Sequence, residues 1–576
     1  MHGLFAWTIL MKQNSYYLLF FFFSIFNKTW SQGAYSPLDA FQLHALERFE
    51  IKSGKLSNDF HTNIKPFERQ ELANFTTKLD TAFYRKLSKS DRFNLNYLQA
   101  DNWEFLNKSF FTSNLRKKPV LKYLYKNKSD LYFVENDDFD IHVSPILNLS
   151  YGYNSQIGDL ESKPLFINTR GVEIRGRINK KLGFYSMVTE NQASSPNFVV
   201  NFFETYQGIP YQSFVKVKDE DFNKLQVDYF NAIGYIAFKP IKNLNLLFGH
   251  DKNFIGSGIR SMVLSNFSSP YLQLKANLKI GRFQYLSILG QMTNLQVPNS
   301  GNSSVTFPPK YLAFHHLNVN ISKRLNVGLF ESVMYGKRDY GFEFNYLNPL
   351  IFYRFIEGYL GSTDNALVGA DFKLNLFKSV STYGQFFLDE YNSEEFKKKG
   401  WWSKKYSWQL GGKYIDAFEI KNLDLQIEMN RARPFMYSHF TTYSNYVNYN
   451  LPIAHPLGAN FKEMLFVLKY QPIPIVFITL TNMRARKGED VNNINYGGNI
   501  KLNNKIGRLS DYDNFIGQGF KNTINSFEFL TSLMLKHNFF FDFSFQQRND
   551  SFEVSQNEKI IKLGIRWNFF QNSLLF

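Results

Sequence analysis

From Ile141 onward the chain alternates apolar and polar residues one by one, segment after segment. In "LDLQIEMN", Leu423, Leu425, Ile427 and Met429 share one face, and Asp424, Gln426, Glu428 and Asn430 share the other. "VEIRGRI" sets Val172, Ile174 and Ile178 against Glu173, Arg175 and Arg177, and "FDFSFQ" sets Phe541, Phe543 and Phe545 against Asp542, Ser544 and Gln546. Successive side chains of a strand point to opposite faces, so each segment has one greasy and one strongly polar side. A soluble sandwich produces the same alternation with the greasy side inward. The connections separate the two cases. About eighteen strand candidates follow one another from 142–151 to 558–571, a number within the range of transmembrane barrels. Short joints such as "NKKLG", "GR", "SKR" and "FKS" alternate strictly with long ones such as 192–225, 253–269, 337–362, 433–460 and 488–523. Short turns on one side and long loops on the other, with an even strand count, are the layout of an outer-membrane β-barrel.

The expected fold class is therefore all-β: a transmembrane antiparallel barrel over 141–576, with a small, partly helical region over 33–140. The polar face would line a lumen of mixed sign, with Glu173, Arg175, Arg177, Lys275, Lys279, Asp424, Glu428 and Arg566. The 62 Phe and 34 Tyr then supply the lipid face and the aromatic girdles at the membrane interfaces. In the N-terminal region, Pro66 suits a first helical turn, and Leu72, Phe75, Leu79 and Phe83 recur at helical spacing. Ser90 suits the N-cap of a second helix.

The stretch "MKQNSYYLLFFFFSIFNKTWSQ" places one Lys before an apolar core and a cleavage region at Trp30–Gln32. It reads as a secretory signal peptide over 1–32, with Met11 an alternative start. No later run is long and apolar enough for a helical span. The chain has no cysteine, which excludes disulfides, thiolate metal sites and Cys nucleophiles. The formal charge of +17 is scattered, and export from the cytoplasm argues against nucleic acid as a partner. The aromatic C-terminus, Phe576, suits an outer-membrane assembly signal.

The chain lacks H-E-x-x-H, P-loop and G-x-S-x-G motifs. His315 and His316 are adjacent on a strand and point to opposite faces. His439, His455 and Glu463 could ligate a metal, but their spacing does not favour it, and no cofactor is expected. Ser438 and His439 are neighbours, whereas a nucleophile and its base usually come from separate elements. One loop, "SEEFKKKGWWSKKYSW", suits ligand contact. Lys398 and Lys404 flank Trp401, Trp402 and Tyr406; aromatic planes stack on sugars, and lysines attract carboxylates or phosphates. The competing reading of that loop is an interfacial girdle beside a solvated charge run.

A set of motifs resembles one family: "LERFEIKSGKLSNDFHTNIKPFER", "GHDKNFIGSGIRSMVLSN", "YLNPLIFYR", "GSTDNALVGADF", "YGQFFLDE" and "RPFMYSH…NYNLPIAHPLGANF". Spread over most of residues 36–470, they are similar to the Bacteroidetes branch of the Wzi-type capsule assembly proteins, a branch that includes the gliding-motility protein RemB. The resemblance implies a non-enzymatic, eighteen-stranded barrel in the cell outer membrane with a helical region on its periplasmic side. Its partners would be outer-membrane lipid, surface capsular polysaccharide and, in the gliding branch, machinery proteins. The motif residues carried over as ligand or loop-constriction candidates are His250, Asp251, Arg260, Asn348, Arg354, Glu428, Arg433, His439, His455 and Asn460. A solute channel is the alternative function, and a barrel hydrolase a more distant one. The stretch 431–461, rich in Tyr and Pro and free of acids, is expected to fold inward and narrow the barrel. His439 and His455 would then bond lumen groups such as Glu428.

Overall fold

The period of two closes into a single wall. The computed structural model describes residues 33–79, 81–106, 129–156, 163–212, 214–218, 225–295, 307–336, 338, 342–362, 364–390, 394–551, 556–570, 574 and 576, so the signal-peptide stretch lies outside the described residues. Eighteen antiparallel strands form a closed barrel. They are β1 (Phe139–Gln156), β2 (Lys163–Ile178), β3 (Leu182–Ser194), β4 (Gln226–Ile241), β5 (Leu244–Asp251) and β6 (Tyr271–Ile280). Next come β7 (Phe283–Thr293), β8 (Pro309–Asn320), β9 (Leu325–Gly336), β10 (Asn365–Leu376), β11 (Val380–Leu388) and β12 (Tyr406–Tyr414). The last are β13 (Leu423–Ala432), β14 (Phe461–Tyr470), β15 (Val476–Glu489), β16 (Phe520–Lys536), β17 (Phe539–Asp550) and β18 (Gln556–Trp567). Each overlaps one segment expected from the alternation. β18 pairs with β1, Leu563 opposite Tyr151, so the eighteen strands close on themselves.

The faces follow the sequence pattern. Ile427, Met429, Val172, Ile178 and Phe541 are exposed on the outside, while Glu428, Asn430, Glu173, Arg175 and Asp542 are buried within. The strict alternation of loop lengths does not hold. Only residues 157–162 separate β1 from β2, and only 551–555 separate β17 from β18. Both short joints lie on the long-loop side, next to the closing seam. There β1 and β2 are lengthened to 18 and 16 residues, so strand takes up what elsewhere is loop.

Among the described residues, four α-helices precede the wall: α1 (Ala40–Ser53), α2 (Arg69–Lys78), α3 (Thr81–Lys86) and α4 (Lys89–Asp101). Asp39 caps α1 by accepting from the backbone of Gln42 at 3.2 Å, and Gly54, at φ 70°, ends it. The expected helix starts shift. Pro66 precedes α2, which begins at Arg69. The cap of α4 is Ser88, in a reciprocal capping box with Asp91, and Ser90 lies inside the helix. Leu46, Phe49, Leu72 and Leu98 form one core with Phe60 and with Met534 and Phe540 of the wall. This region seats on the short-turn end of the barrel. Ser88 bonds Asn422 at 2.6 Å, Asn94 bonds Gln471 at 2.7 Å, and Asp101 bonds His537 at 2.7 Å. Arg48 pairs with Asp91, Asp416 and Asp424.

From the long-loop end, residues 252–270 and 433–460, and the helix α5 (Asn197–Tyr206), fold into the lumen. The expectation of a uniformly polar lumen is therefore corrected. Leu312, Phe314, Phe330 and Met334 point inward from β8 and β9 and pack on Met262, Leu264, Tyr437 and Tyr446. Where inbound loops dry the interior, the wall behaves as a protein core and carries apolar side chains on its inner face. The C-terminus also turns inward. Phe576 does not end the last strand; it packs on Phe198 and Phe202 of α5, with ring centroids 5.4 and 4.8 Å away.

Candidate functional site

Two inbound pieces meet inside the barrel. Ile64 and Lys65, between α1 and α2, pair as an antiparallel ladder with Ile255 and Phe254 of the 252–270 loop. The joint is held to the wall by charge. Lys65 lies 3.2 Å from Glu47, which also pairs with Lys413 of β12, and Asn63 donates to Asp371 of β10 at 2.7 Å. Glu50 pairs with Lys373. Helical region and inbound loop thus form one continuous stopper across the lumen.

Wall carboxylates fix the inbound segments by accepting backbone N–H groups. Glu428, fully buried on β13, accepts from Ile259 at 2.6 Å and Arg260 at 3.0 Å, and from the Tyr383 hydroxyl at 2.8 Å. The turn comes so close that a Cβ on Gly258 would stand 2.5 Å from a Glu428 oxygen. A larger residue there would have to displace the ends of the Glu428 and Gln409 side chains. Glu558 of β18 accepts from Asn197 at 3.0 Å and Phe198 at 2.9 Å, capping α5. Glu463 of β14 accepts from Arg260 Nη2 at 2.9 Å and lies 2.9 Å from His455 Nε2.

The 433–460 stretch does fold inward. Tyr437 donates to Met262 O at 2.7 Å, and Ser265 donates to Ala454 O at 2.5 Å, so it packs against the other inbound loop. The partners of its histidines differ from the expectation. His455 Nδ1 accepts from Leu457 N at 3.2 Å, which leaves the proton on Nε2 and directs it to Glu463 rather than Glu428. Both ring nitrogens are engaged, so no lone pair is left for general-base work. His439 Nδ1 bonds Thr441 at 3.0 Å, and burial, with Lys405 adding to it, lowers its pKa to about 4. Ser438 donates to Phe435 O at 2.7 Å and not to a histidine.

The remaining candidates scatter. Asp251 is buried at the end of β5, whereas its neighbour His250 is exposed on the outer face. Arg433 donates to three loop carbonyls, those of Trp401, Lys404 and Asn514, at 3.1–3.2 Å. Asn460, left-handed at φ 57°, bonds Gly488 O, Gln518 O and Gly517 N, and so ties the end of its own loop to the end of β15 and to the 490–519 loop. Asn348 and Arg354 lie on the exterior of the β9–β10 connection and are exposed. Carried over as one set, these residues do not form one site. Arg260 and Glu428 meet in the stopper, and His455 joins them through Glu463.

The aromatic–lysine loop divides in two. Tyr406, on β12, stacks on outward-facing Phe386 at 6.0 Å and belongs to the interfacial girdle. Trp402 is enclosed by its own protein, with the Arg508 guanidinium 3.9 Å over its ring and Phe435 at its edge. Trp401 is half-buried, its ring centroid 6.5 Å from that of Trp402, while Lys398 is exposed, pairs with Glu395 at 2.6 Å and lies 5.6 Å over Tyr512. The partner loop was missed in the sequence. Residues 499–519 dock on 394–405 through Trp402 N to Asp511 O at 2.8 Å, and they expose Leu509, Tyr512 and Phe515. Its signal was an outer loop of about thirty residues that keeps bulky apolar side chains among Gly and Asp.

A family model described as capsule assembly protein Wzi matches residues 151–558. Among solved structures, the Escherichia coli outer-membrane protein Wzi, described as a carbohydrate-binding β-barrel involved in group 1 capsule assembly, superposes with TM-score 0.53 at 13% identity, over 94% of this chain and all of that one. Acinetobacter baumannii OccAB4 follows at TM-score 0.40, 9% identity and 75% of this chain against 98% of its own. Pseudomonas aeruginosa OccK8 is similar at TM-score 0.41, 8% identity and 74% against 97%. No curated protein matches the sequence.

Proposed function

The chain belongs to the Wzi family of capsule assembly proteins, an outer-membrane barrel family, and from that premise we propose that it binds surface polysaccharide on its outward rim and does so without catalysis. The observation that carries this reading is the stopper. With the ladder of Ile64–Lys65 on Phe254–Ile255 across the lumen, the surface open to a large polymer is the rim. The E. coli relative is described as carbohydrate-binding. In this chain the joined loops 394–405 and 499–519 offer the matching chemistry. Trp401 and Tyr512 present rings for stacking on sugars, and exposed Lys397, Lys398 and Lys399 attract acidic substituents. Trp402 and Arg433 hold that surface in place. The helical region then faces the periplasm, behind a cleaved signal peptide.

The finer reading places the chain in the Bacteroidetes branch of the family. There, organising surface polysaccharide would serve gliding as well as encapsulation. The motif set shared with that branch, "GHDKNFIGSGIRSMVLSN" above all, supports it. A deletion strain scored for cell-associated polysaccharide and for spreading tests both. Loss of retained polysaccharide, restored by the wild-type gene, is expected, with loss of spreading if the gliding role holds. Normal capsule together with normal spreading would contradict the proposal.

A further inference from the structure

Within the connection between β9 and β10, residues 344–360 run down the outside of the wall. Its helix α6 (Tyr353–Leu360) packs Tyr353 and Ile356 on Tyr311, Ala313, Val333 and Tyr335. Those four alternate with Leu312, Phe314, Ser332 and Met334, which point into the lumen, so α6 lies on the outward face. Its anchor is Glu331, in the middle of β9, which accepts from Tyr353 N at 2.7 Å and Arg354 N at 3.2 Å. His315 lies 3.2 Å from Glu331 and stacks on Tyr353 at 4.3 Å. Further down, the Tyr285 hydroxyl donates to Pro349 O at 2.7 Å from the third residue of β7. With a rise of about 3.3 Å per residue and a tilt near 40°, Glu331 lies roughly 13 Å below the upper end of β9. That is well within an apolar band about 25 Å tall.

The other side of this segment is greasy and uncovered. Leu350 is 89% exposed, Tyr359 83%, Phe344 67%, Phe355 62% and Phe352 59%. It continues the outward apolar surface of Leu317 and Leu329 on the neighbouring strands, which faces lipid. The backbone is suited to that medium. Asn348 N donates to Asn345 O, Leu350 N to the Asn348 side chain, Phe355 N to Phe352 O and Ser362 N to Glu357 O. Hydrocarbon offers no other partners for such groups. The one charged side chain on the exposed side of α6, Arg354, is paired with Glu357 at 2.6 Å.

We propose that residues 344–360 are an intramembrane strap whose outer face lies in the acyl chains of the outer leaflet, and which shields Glu331 and His315 from them. The chain has no cysteine, so single variants carry one label each. Phe352→Cys and Tyr359→Cys, spin-labelled in the full-length protein and reconstituted in phospholipid vesicles, are read by power saturation with oxygen and with a water-soluble nickel chelate. Leu329→Cys on the bare wall is the lipid reference, and Phe515→Cys on the outer loop is the aqueous one. Collision with oxygen is expected to exceed collision with nickel several-fold at 352 and 359, as at 329, with the order reversed at 515. Labels at 352 and 359 that read like 515 would overturn the strap in favour of a solvent loop. Shielding from both reagents would overturn it in favour of a protein partner or a second copy. Leu350→Cys replaces either variant if that variant does not fold, as judged by heat-modifiable mobility.

Discussion

Glu428 shows what a single wall residue does in this barrel. A buried carboxylate surrounded by two backbone N–H donors, a tyrosine hydroxyl and two side-chain amides is a docking point for the 252–270 loop. Glu428→Ala strands those donors, at a cost on the order of 2–3 kcal/mol. Hydrogen exchange of amides 256–264 is expected to accelerate by about two orders of magnitude while exchange in the wall strands holds, and unchanged exchange would remove Glu428 from this role. A second residue gives a pH signature. His61 donates its backbone N–H to Gln284 at 3.0 Å, and its buried ring bonds Asn318. Burial lowers the ring pKa to about 4, against an unfolded value near 6.5. The fold therefore favours the neutral ring. Its contribution is fully present above about pH 6.5 and is lost as pH falls toward 4, because the undocked state takes up the proton first. Proteolysis of the helical region is expected to rise across that window, and to rise less in His61→Asn. An identical rise in the variant would assign the effect elsewhere.

At the scale of elements, the helical region is held both by an apolar core shared with Met534 and Phe540 of the wall and by buried ion pairs at the short turns. Arg48, almost fully buried, answers Asp91 of α4 and both Asp416 and Asp424 of the wall. Removing one member of a buried network costs about 3–5 kcal/mol. Arg48→Ala is expected to make residues 33–106 protease-sensitive while the barrel keeps its folded mobility on unheated gels. Resistance equal to wild type would show the seat to be held by other contacts. The wall elements were legible in the sequence, because lipid outside and polar groups inside impose the period of two on every strand. Of the filling, the inward fold of 433–460 was legible, and the inward course of 252–270 and of α5 was not. Yet "YLAFHHL" in β8 is apolar at both Leu312 and Ala313, and Phe314 and Leu317 also fall on opposite faces; a strand dry on both sides reads that way. His315 and Glu331 were a second unread signal, since charged or polar groups on a greasy face need a cover, and α6 is that cover. The site candidates scattered because a motif can persist for packing. Asn460 and Arg433 tie loops together, and nothing in their spacing distinguishes that role from ligand contact.

As a whole molecule, the barrel is stoppered by its own chain from both ends, with the C-terminal residue packed inside as well. Two cavities of about 210 and 260 Å³ lie against the inner face of the wall, the first along β1–β4 and β17–β18 and the second along β13–β18, and both reach Arg566. In planar bilayers the protein is expected to be silent, without the stepwise conductance of an open barrel of this strand number. Regular channel steps would support the solute-channel reading instead. The central claim is that the rim formed by loops 394–405 and 499–519 binds surface polysaccharide. The most direct test is binding of the producing cell's own purified surface polysaccharide to the detergent-purified, full-length protein, with wild type compared with Lys398→Ala and Trp401→Ala. Stacking and charge contacts of this size are worth about 1–2 kcal/mol each. Saturable binding that falls roughly tenfold in each variant, with the folded mobility unchanged, is expected. Absence of binding by the wild type, or binding that both variants retain in full, would contradict the claim.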